Sequence, residues 1–340
     1  MNICVVGAGA IGGMLAVKLA ATGHHVTVIV RGANLAAVQH NGMLLIEEDG
    51  TELLAKPMLA TASIPEAGPQ DVVILALKAH QVAAVAPDLP ALLQPHTRVI
   101  TMQNGIPWWY FHKLPGEAGQ TYKDMALKAV DPDGSITRHI PIDSVIGSVV
   151  YPASEVIRPG VIQVIEGNRF SLGEIDGSDT ESLRGIADAF KAAGFKTPIA
   201  RDIRSEIWLK VWGNLSFNPI SALTHATLED ICTYAPTRAL AANMMREAQT
   251  IGEKLGVQFK VSLEKRIDGA QAVGQHKTSM LQDVEAGRPL ELQALVASVM
   301  ELGRITHTPT PTIDAVHALA SLLAQNLHQH KGTLRISSGA

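Results

Sequence analysis

The sequence predicts an α/β protein in which an N-terminal doubly wound sheet, residues 1–200, precedes an all-helical C-terminal domain, residues 201–335. Up to about Ala200, short apolar strands alternate with helical segments, a pattern typical of parallel sheets covered by helices. Beyond Asp202, long amphipathic segments follow with little strand pattern. The 340 residues are 46% apolar, which is enough to give each of two domains a core.

The first elements form a βαβ unit. The predicted strands and helices are, in order, Asn2 to Val6, Ile11 to Ala21, His25 to Val30 and Asn34 to His40. Leu44 to Glu47 and Leu53 to Leu59 flank Asp49-Gly50 and predict a hairpin. Further strands of the same sheet are expected at Asp71 to Leu77, Arg98 to Met102, Val145 to Val150, Val161 to Ile165 and Arg169 to Leu172.

Helical periodicity predicts the remaining elements. A helix from Thr180 to Ala193 should close the first domain. The segments expected to build the second domain are Ile203 to Ser216, Pro236 to Leu255, Met280 to Ala286, Leu290 to Leu302 and Pro311 to Asn326. These amphipathic helices, together with the aromatic segment Trp108 to Phe111, would also allow a homodimer.

Composition excludes several classes of protein. The net charge of −4 leaves no basic surface for nucleic acid. Cys4 and Cys232 fit neither a disulfide framework nor a zinc pattern, and the 13 histidines are scattered, so we expect no metal site. Neither a signal peptide nor a membrane span is predicted, and we expect a cytoplasmic protein.

A glycine-rich turn follows the first predicted strand. Its residues are Gly7, Ala8, Gly9, Ala10, Ile11 and Gly12, which have the spacing GxGxxG. Between a strand and a helix, this spacing lets the backbone approach a pyrophosphate at the helix N-terminus. The alternative is a flexible loop, but the flanking strand and helix favour a Rossmann dinucleotide-binding domain.

Arg31 ends the second predicted strand, where NAD-binding folds usually carry an acidic residue. No carboxylate side chain occurs between Met1 and Glu47. A carboxylate would repel a 2'-phosphate, whereas a guanidinium can bind it through two hydrogen bonds. The sequence therefore predicts NADP(H), with a solvated Arg31 as the alternative.

Two polar residues follow later strands of the predicted sheet. Lys78 comes after Val72 to Leu77, and Asn104 comes after Val99 to Met102. Either residue alone is unremarkable, since lysines after strands are usually solvated and Asn-Gly is usually a turn. In open sheets, ligands bind at the carboxyl ends of parallel strands. Lys78 and Asn104, taken together, therefore indicate a ligand-binding site.

A polar stripe is expected on the helix that begins at Ile203. Lys210, Asn214 and Asn218 are spaced four residues apart and share one face, while their neighbours are apolar. Burying an amide without a hydrogen-bond partner costs on the order of 1 to 3 kcal/mol of folding free energy. A buried polar stripe is therefore expected to bind a ligand or to bond to other polar groups. Substrate binding and a structural polar network are both compatible with it.

Together these motifs resemble the ketopantoate reductase family, which uses NADPH to make pantoate from a small 2-oxo acid. The residues that carry the resemblance are the glycine turn, Ala76-Leu77-Lys78-Ala79, Gln103-Asn104-Gly105, Lys210 with Asn214 and Asn218-Pro219, Ser279-Met280-Leu281-Gln282-Asp283, and Glu291. The resemblance covers most of the chain and implies a Rossmann domain followed by a helical domain.

The resemblance also implies roles for individual residues. Lys210 would be the general acid, and Glu291, the other catalytic residue, would lie near both this lysine and the cofactor ribose. Lys78 and Asn104 would contact the cofactor near its nicotinamide. Asn214, Asn218 and Ser279 would join Lys210 in binding the substrate.

Two features depart from the family pattern. His276 stands where the family commonly has asparagine, and the segment Trp108 to Phe111 lies in an unusually long connection. These aromatic side chains either form a lid or enlarged pocket, or pack between domains or subunits. A reductase of another 2-oxo acid or ketone, with a pocket reshaped by the aromatic segment, is therefore an alternative. A non-catalytic NADPH sensor is a further alternative, although it would need only the cofactor contacts and not the retained inner-site residues. An NAD-linked dehydrogenase of the opine or glycerol phosphate kind is disfavoured by Arg31.

Overall fold

The chain folds into two compact units, each made of three stretches, in a computed structural model that describes residues 1–336. The first unit comprises Met1–Gln103, His112–Leu114 and Asp133–Glu206. The second comprises Asn104–Phe111, Pro115–Pro132 and residues 207–336. The predicted domain ranges were continuous, whereas residues 104–111 and 115–132 group with the C-terminal helices.

Eleven strands occur within residues 1–336, all in the first unit. They are β1 (Asn2–Val6), β2 (His25–Ile29), β3 (Met43–Ile46), β4 (Glu52–Ala55), β5 (Leu59–Thr61), β6 (Val72–Leu75), β7 (Arg98–Thr101), β8 (Val145–Val150), β9 (Ala153–Arg158), β10 (Val161–Glu166) and β11 (Phe170–Glu174).

The main sheet has seven strands in the order β11-β8-β7-β6-β1-β2-β5. All neighbouring strands are parallel except β11, which runs antiparallel to β8 at one edge. The inner strands β1, β6 and β7 are almost wholly buried, as expected for strands covered on both faces. The predicted doubly wound sheet is confirmed.

A second sheet was not predicted. It contains four strands in the order β4-β3-β10-β9, and it packs on helix α1 (Ala10–Ala21). The prediction that β10 extends the main sheet is wrong, because β10 pairs with β3 and β9. Alternating apolar residues predict a strand but not its partner. The close packing depends on Gly13, where a Cβ would lie 2.8 Å from the Ile162 side chain.

The predicted hairpin is present but shorter. Strands β3 and β4 pair antiparallel, and β4 ends at Ala55. Pro57 follows and lacks the N–H that a strand interior requires. The chain then forms β5, which pairs with β2 in the main sheet.

Thirteen α-helices occur within residues 1–336. Besides α1 they are α2 (Gly32–Asn41), α3 (Ala79–Val85), α4 (Gly116–Tyr122), α5 (Ser135–His139), α6 (Glu181–Ala192), α7 (Ile203–Thr224), α8 (Leu228–Thr233), α9 (Ala235–Lys254), α10 (Leu263–Ala272), α11 (Ser279–Glu285), α12 (Ser298–Ile305) and α13 (Pro311–His330).

The described part of the C-terminal region contains helices and no strand, as predicted, but the helix boundaries differ. Helix α7 was expected to end near Ser216, yet it continues through Pro219 to Thr224. The short helices α8 and α10 were not predicted. A π-helical turn, Gln293–Ala297, leads directly into α12, so the segment predicted as one helix contains an irregular turn.

None of the helices within residues 1–336 combines the length and the apolar character that crossing a membrane requires.

Candidate active site

The glycine turn joins β1 to the N-terminus of α1. Gly7 has a φ of +98°, which favours glycine. A Cβ at Gly12 would lie 2.2 Å from the Gly7 carbonyl oxygen, whereas a Cβ at Gly9 would meet no atom within 4 Å. Gly12 therefore lets the helix begin tightly against the turn, and Gly9 leaves open space beside the helix N-terminus. Such a cradle suits a pyrophosphate.

Arg31 is exposed directly after β2, as the N-cap residue of α2. Within residues 1–336, its guanidinium makes no hydrogen bond or ion pair to another side chain or to the backbone. The first turn of α2 also contains no acidic residue. This end of β2 therefore offers an available cation and no carboxylate to repel a phosphate.

Lys78 lies close to the glycine turn along the chain that follows β6. The two residues before it pack against the turn: a Cβ at Gly7 would meet the Leu77 side chain at 2.7 Å. Gln103 ties the neighbouring strand ends together, because its Nε2 donates to the carbonyls of Leu75 at 2.7 Å and Leu77 at 3.1 Å. The importance of Gln103 was not predicted, although its position directly after an inner strand is a signal that sequence reasoning could have used.

Two buried tryptophans of α7 donate hydrogen bonds within the second unit. Trp208 Nε1 donates to the Tyr110 hydroxyl at 2.7 Å, and Trp212 Nε1 donates to the Met245 carbonyl at 2.7 Å. At 3.6 residues per turn, residues two positions before and after Lys210 lie on the opposite side of the helix. The two tryptophans therefore fix how α7 is rotated about its own axis. Lys210 points away from the side of the helix that carries them.

The aromatic segment Trp108 to Phe111 includes Tyr110, which accepts the hydrogen bond from Trp208. All four side chains are buried, and Trp109 and Tyr110 are fully so. Tyr110 packs edge-on against Trp208, with ring centroids 6.5 Å apart. Of the alternatives, the structure favours a packing role over an exposed lid.

Lys210, Asn104 and Glu291 form a connected cluster in the second unit. Lys210 Nζ donates to Asn104 Oδ1 at 2.8 Å, and Asn104 Nδ2 donates to Glu291 Oε2 at 3.5 Å. Burial lowers the pKa of Lys210 from 10.5 to about 8, while the Glu291 carboxylate acts in the opposite direction. Below about pH 8, Lys210 is therefore an ammonium group that can give up its proton readily.

A second polar pair lies farther along α7. Asn218 is buried, and its Nδ2 donates to the Ser279 hydroxyl at 3.4 Å. Ser279 is exposed at the start of α11, where the Thr278 hydroxyl caps the helix. Asn214 lies between Lys210 and Asn218 on the same helical face. Lys210, Asn214 and Asn218 therefore follow one another at intervals of four residues along one face of α7.

The remaining departure, His276, lies in the segment before α11. Its backbone N–H donates to the Gly274 carbonyl at 2.7 Å, and its carbonyl accepts from Leu228 N at 3.0 Å. The backbone of His276 is therefore fixed near the end of α10, three residues before Ser279.

The structure brings the predicted site residues into two groups. The glycine turn, Arg31 and Lys78 belong to the first unit, and Asn104, Lys210, Asn214, Asn218, Ser279 and Glu291 belong to the second. Within the described residues, no three His, Cys, Asp or Glu side chains cluster as metal ligands would. A parallel sheet with a glycine turn between its first strand and the following helix is the arrangement of a dinucleotide-binding domain, and the helices that follow carry a lysine with a lowered pKa.

Comparisons with known proteins identify the family. The family model described as ketopantoate reductase PanE/ApbA matches residues 3–108, and its C-terminal model matches residues 202–324. A 2-dehydropantoate 2-reductase of Mesorhizobium japonicum is 55% identical over 325 residues, covering 95% of this chain and 98% of its own. The chain belongs to the ketopantoate reductase family.

Solved structures agree. A ketopantoate reductase homologue from Ralstonia solanacearum superposes with a TM-score of 0.90 at 40% identity, covering 96% of this chain and 98% of its own. The 2-dehydropantoate 2-reductase of Methylococcus capsulatus gives a TM-score of 0.80 at 25% identity, with coverage of 96% and 98%. The protein is accordingly an oxidoreductase that acts on CH–OH groups, and its family implies a nicotinamide cofactor.

Proposed function

We propose that the protein reduces 2-dehydropantoate to pantoate with NADPH, and that Lys210 is the general acid. The observation that carries the proposal is the Lys210–Asn104–Glu291 cluster in a chain 55% identical to a 2-dehydropantoate 2-reductase. The first unit would hold the cofactor and the second would supply the proton.

Lys210 suits the chemistry of ketone reduction. The bound cofactor supplies a hydride to the 2-keto carbon, so the keto oxygen gains negative charge. A positioned ammonium group both stabilises that charge and provides the proton that completes the alcohol. With a pKa of about 8, Lys210 is charged at neutral pH and yet is a stronger acid than an ordinary lysine.

Glu291 and Asn104 would keep Lys210 ready. The Glu291 carboxylate favours the charged form of Lys210 against the effect of burial. The Asn104 side chain accepts from the lysine and donates to the carboxylate, so its amide has a defined orientation. After proton transfer, the same two groups would favour reprotonation of the amine.

Three features of the first unit support NADP(H) as the cofactor. The open space at Gly9 and the uncovered N-terminus of α1 would accept the pyrophosphate. Arg31 would bind the 2'-phosphate, since its guanidinium has no other partner within residues 1–336 and no acid stands at the end of β2. Lys78 would contact the nicotinamide side.

Asn214, Asn218 and Ser279 would hold the substrate beside Lys210. Amides and a hydroxyl can donate to a carboxylate and also pair with a hydroxyl group, both of which 2-dehydropantoate offers. Asn218 and Ser279 already contact each other, so they would act as one polar wall.

A homodimer remains a prediction, to be measured by light scattering.

The decisive experiment is the initial rate of NADPH oxidation with 2-dehydropantoate and with bulkier 2-oxo acids, using NADH as the control cofactor. Rapid turnover of 2-dehydropantoate with a preference for NADPH is the expected result. Turnover of only a bulkier 2-oxo acid would move the substrate assignment, and NADPH binding without turnover of any acid would contradict an enzymatic role.

A further inference from the structure

The π-helical turn Gln293–Ala297 begins two residues after Glu291. In this turn the Ser298 backbone N–H donates to the carbonyl of Gln293, five residues back, instead of to that of Ala294, four residues back. The Ala294 carbonyl accepts from the Ser298 hydroxyl at 2.7 Å and from the Ile106 backbone N–H at 2.9 Å. A π turn therefore presents one helix carbonyl to a distant loop.

The loop that meets this carbonyl is Asn104-Gly105-Ile106. Gly105 has a φ of +94°, and a Cβ there would lie only 2.1 Å from the Ala294 carbonyl oxygen and 2.4 Å from its carbon. Ile106 is buried, so its N–H needs the hydrogen bond that Ala294 provides. Glycine is thus required twice, for its backbone conformation and for the close approach.

The contact of Gly105 with Ala294 is close along the chain to both groups that act on Lys210, the Asn104 amide and the Glu291 carboxylate. Asn104 is the residue before Gly105, and Glu291 lies three residues before Ala294. Fixing Gly105 and Ile106 against Ala294 therefore fixes the relative positions of the Asn104 amide and the Glu291 carboxylate, which are 3.5 Å apart. π turns interrupt helices at a cost in regular hydrogen bonding and occur frequently at functional sites.

We propose that Gly105 and the π-helical turn are positioning elements that set Asn104 and Glu291 against the Lys210 ammonium. In this role they contact neither the substrate nor the cofactor, and they act through the Ala294 carbonyl. The inference rests on the proposed function only for its effect on turnover, because the geometry at Lys210 can be measured without it.

The test compares Gly105→Ala with Gly50→Ala. Gly50 also has a positive φ, of +84°, but a Cβ there would meet no atom within 4 Å, so the control reproduces the backbone strain without the clash. We expect Gly105→Ala to lose about 10²-fold in kcat, the effect of a displacement of about 1 Å at a reacting group. Gly50→Ala should keep the wild-type kcat.

A milder pair of variants guards against misfolding. Ser298→Ala removes one donor from the Ala294 carbonyl, and Ser216→Ala removes another buried serine hydroxyl that bonds the carbonyl four residues earlier, that of Trp212. We expect Ser298→Ala to lower kcat more than it raises KM, by a smaller factor than Gly105→Ala. Ser216→Ala should change neither.

The second readout is the titration of Lys210 in the cofactor-free enzyme, followed by NMR of ¹³C-labelled lysine side chains and assigned with Lys210→Arg. Displacing Asn104 and Glu291 should lower the pKa of Lys210 below its wild-type value, which a purely structural defect elsewhere would not do. Folded Gly105→Ala and Ser298→Ala variants with wild-type kcat and Lys210 titration would overturn the proposal. If instead Lys210→Ala kept full activity, the general-acid assignment would fail while the titration still decided the positioning role.

Discussion

The glycine turn and the Lys210 cluster differ in how the chain builds them. The turn uses six consecutive residues, and its chemistry comes from backbone N–H groups and from the space that missing side chains leave. The Lys210 cluster uses side chains separated by up to 187 residues, held together by buried packing. A site made of backbone depends on local conformation, whereas a site made of distant side chains depends on the core behind it.

The sharpest test of this difference removes the lysine. Lys210→Ala should lower kcat by about 30- to 1000-fold, because a general acid or oxyanion donor contributes about 2 to 4 kcal/mol to transition-state stabilisation. The Kd for NADPH, measured by fluorescence, should stay unchanged, since the turn lies in the first unit. Lys265→Ala, at an exposed position on α10, is the control. A kcat near that of the wild type would show that Lys210 is not the acid.

Arg31→Ala examines the side-chain contribution within the first unit, which we propose binds the cofactor. Loss of a charge-assisted hydrogen bond to the 2'-phosphate should weaken NADPH binding by about 10- to 150-fold, from about 1.5 to 3 kcal/mol. The KM for NADH, which lacks that phosphate, serves as the internal control and should barely move. Equal losses for both cofactors would contradict recognition of the phosphate by Arg31.

Gly12→Ala examines the backbone contribution. A methyl group 2.2 Å from the Gly7 carbonyl oxygen must push α1 away from the turn, so both NADPH and NADH should bind about tenfold more weakly. Gly185→Ala, at an exposed site on α6 where a Cβ meets no atom within 4 Å, should leave both affinities unchanged. Titration calorimetry of the two variants would decide, and unaltered binding by Gly12→Ala would refute the close-packing role.

The smallest expected effect is a shift in pH dependence. Lys210 donates only when protonated, so kcat should be full below about pH 8 and fall as the pH rises through its pKa. Glu291 raises that pKa, and Glu291→Gln should therefore move the alkaline fall to lower pH. A pH profile of kcat over pH 6 to 10 measures the shift, and Glu285→Gln, on α11, is the control. A fall that stays in place would exclude Glu291 as the group that supports the ammonium.

The sequence was informative where a motif is local. Strand, glycine turn and helix were predicted together because Gly7 to Gly12 carry their own conformational requirements. The four-residue spacing also placed Lys210, Asn214 and Asn218 on one helical face. These parts of the site need no knowledge of distant contacts.

The parts that escaped prediction depend on pairing and packing. Nothing in the β10 sequence indicates that its partner is β3, since a strand pattern is the same in either sheet. Glu291 looks like an ordinary surface carboxylate until the π turn brings it to Asn104, and only the family resemblance had selected it. The hydrogen bonds of Gln103 could not be predicted, because its partners are backbone carbonyls whose proximity depends on the pairing of β6 with β7.

The three-part construction of the second unit has a consequence for the growing chain. Tyr110 is synthesised 98 residues before Trp208, the residue whose indole N–H it accepts. Until α7 has been made, Tyr110 lacks the Trp208 side chain that packs against it, so a nascent chain would present an aromatic surface of the kind that chaperones recognise. A fragment that stops at residue 200 would carry the same exposed segment permanently, and we expect it to aggregate where the full chain does not.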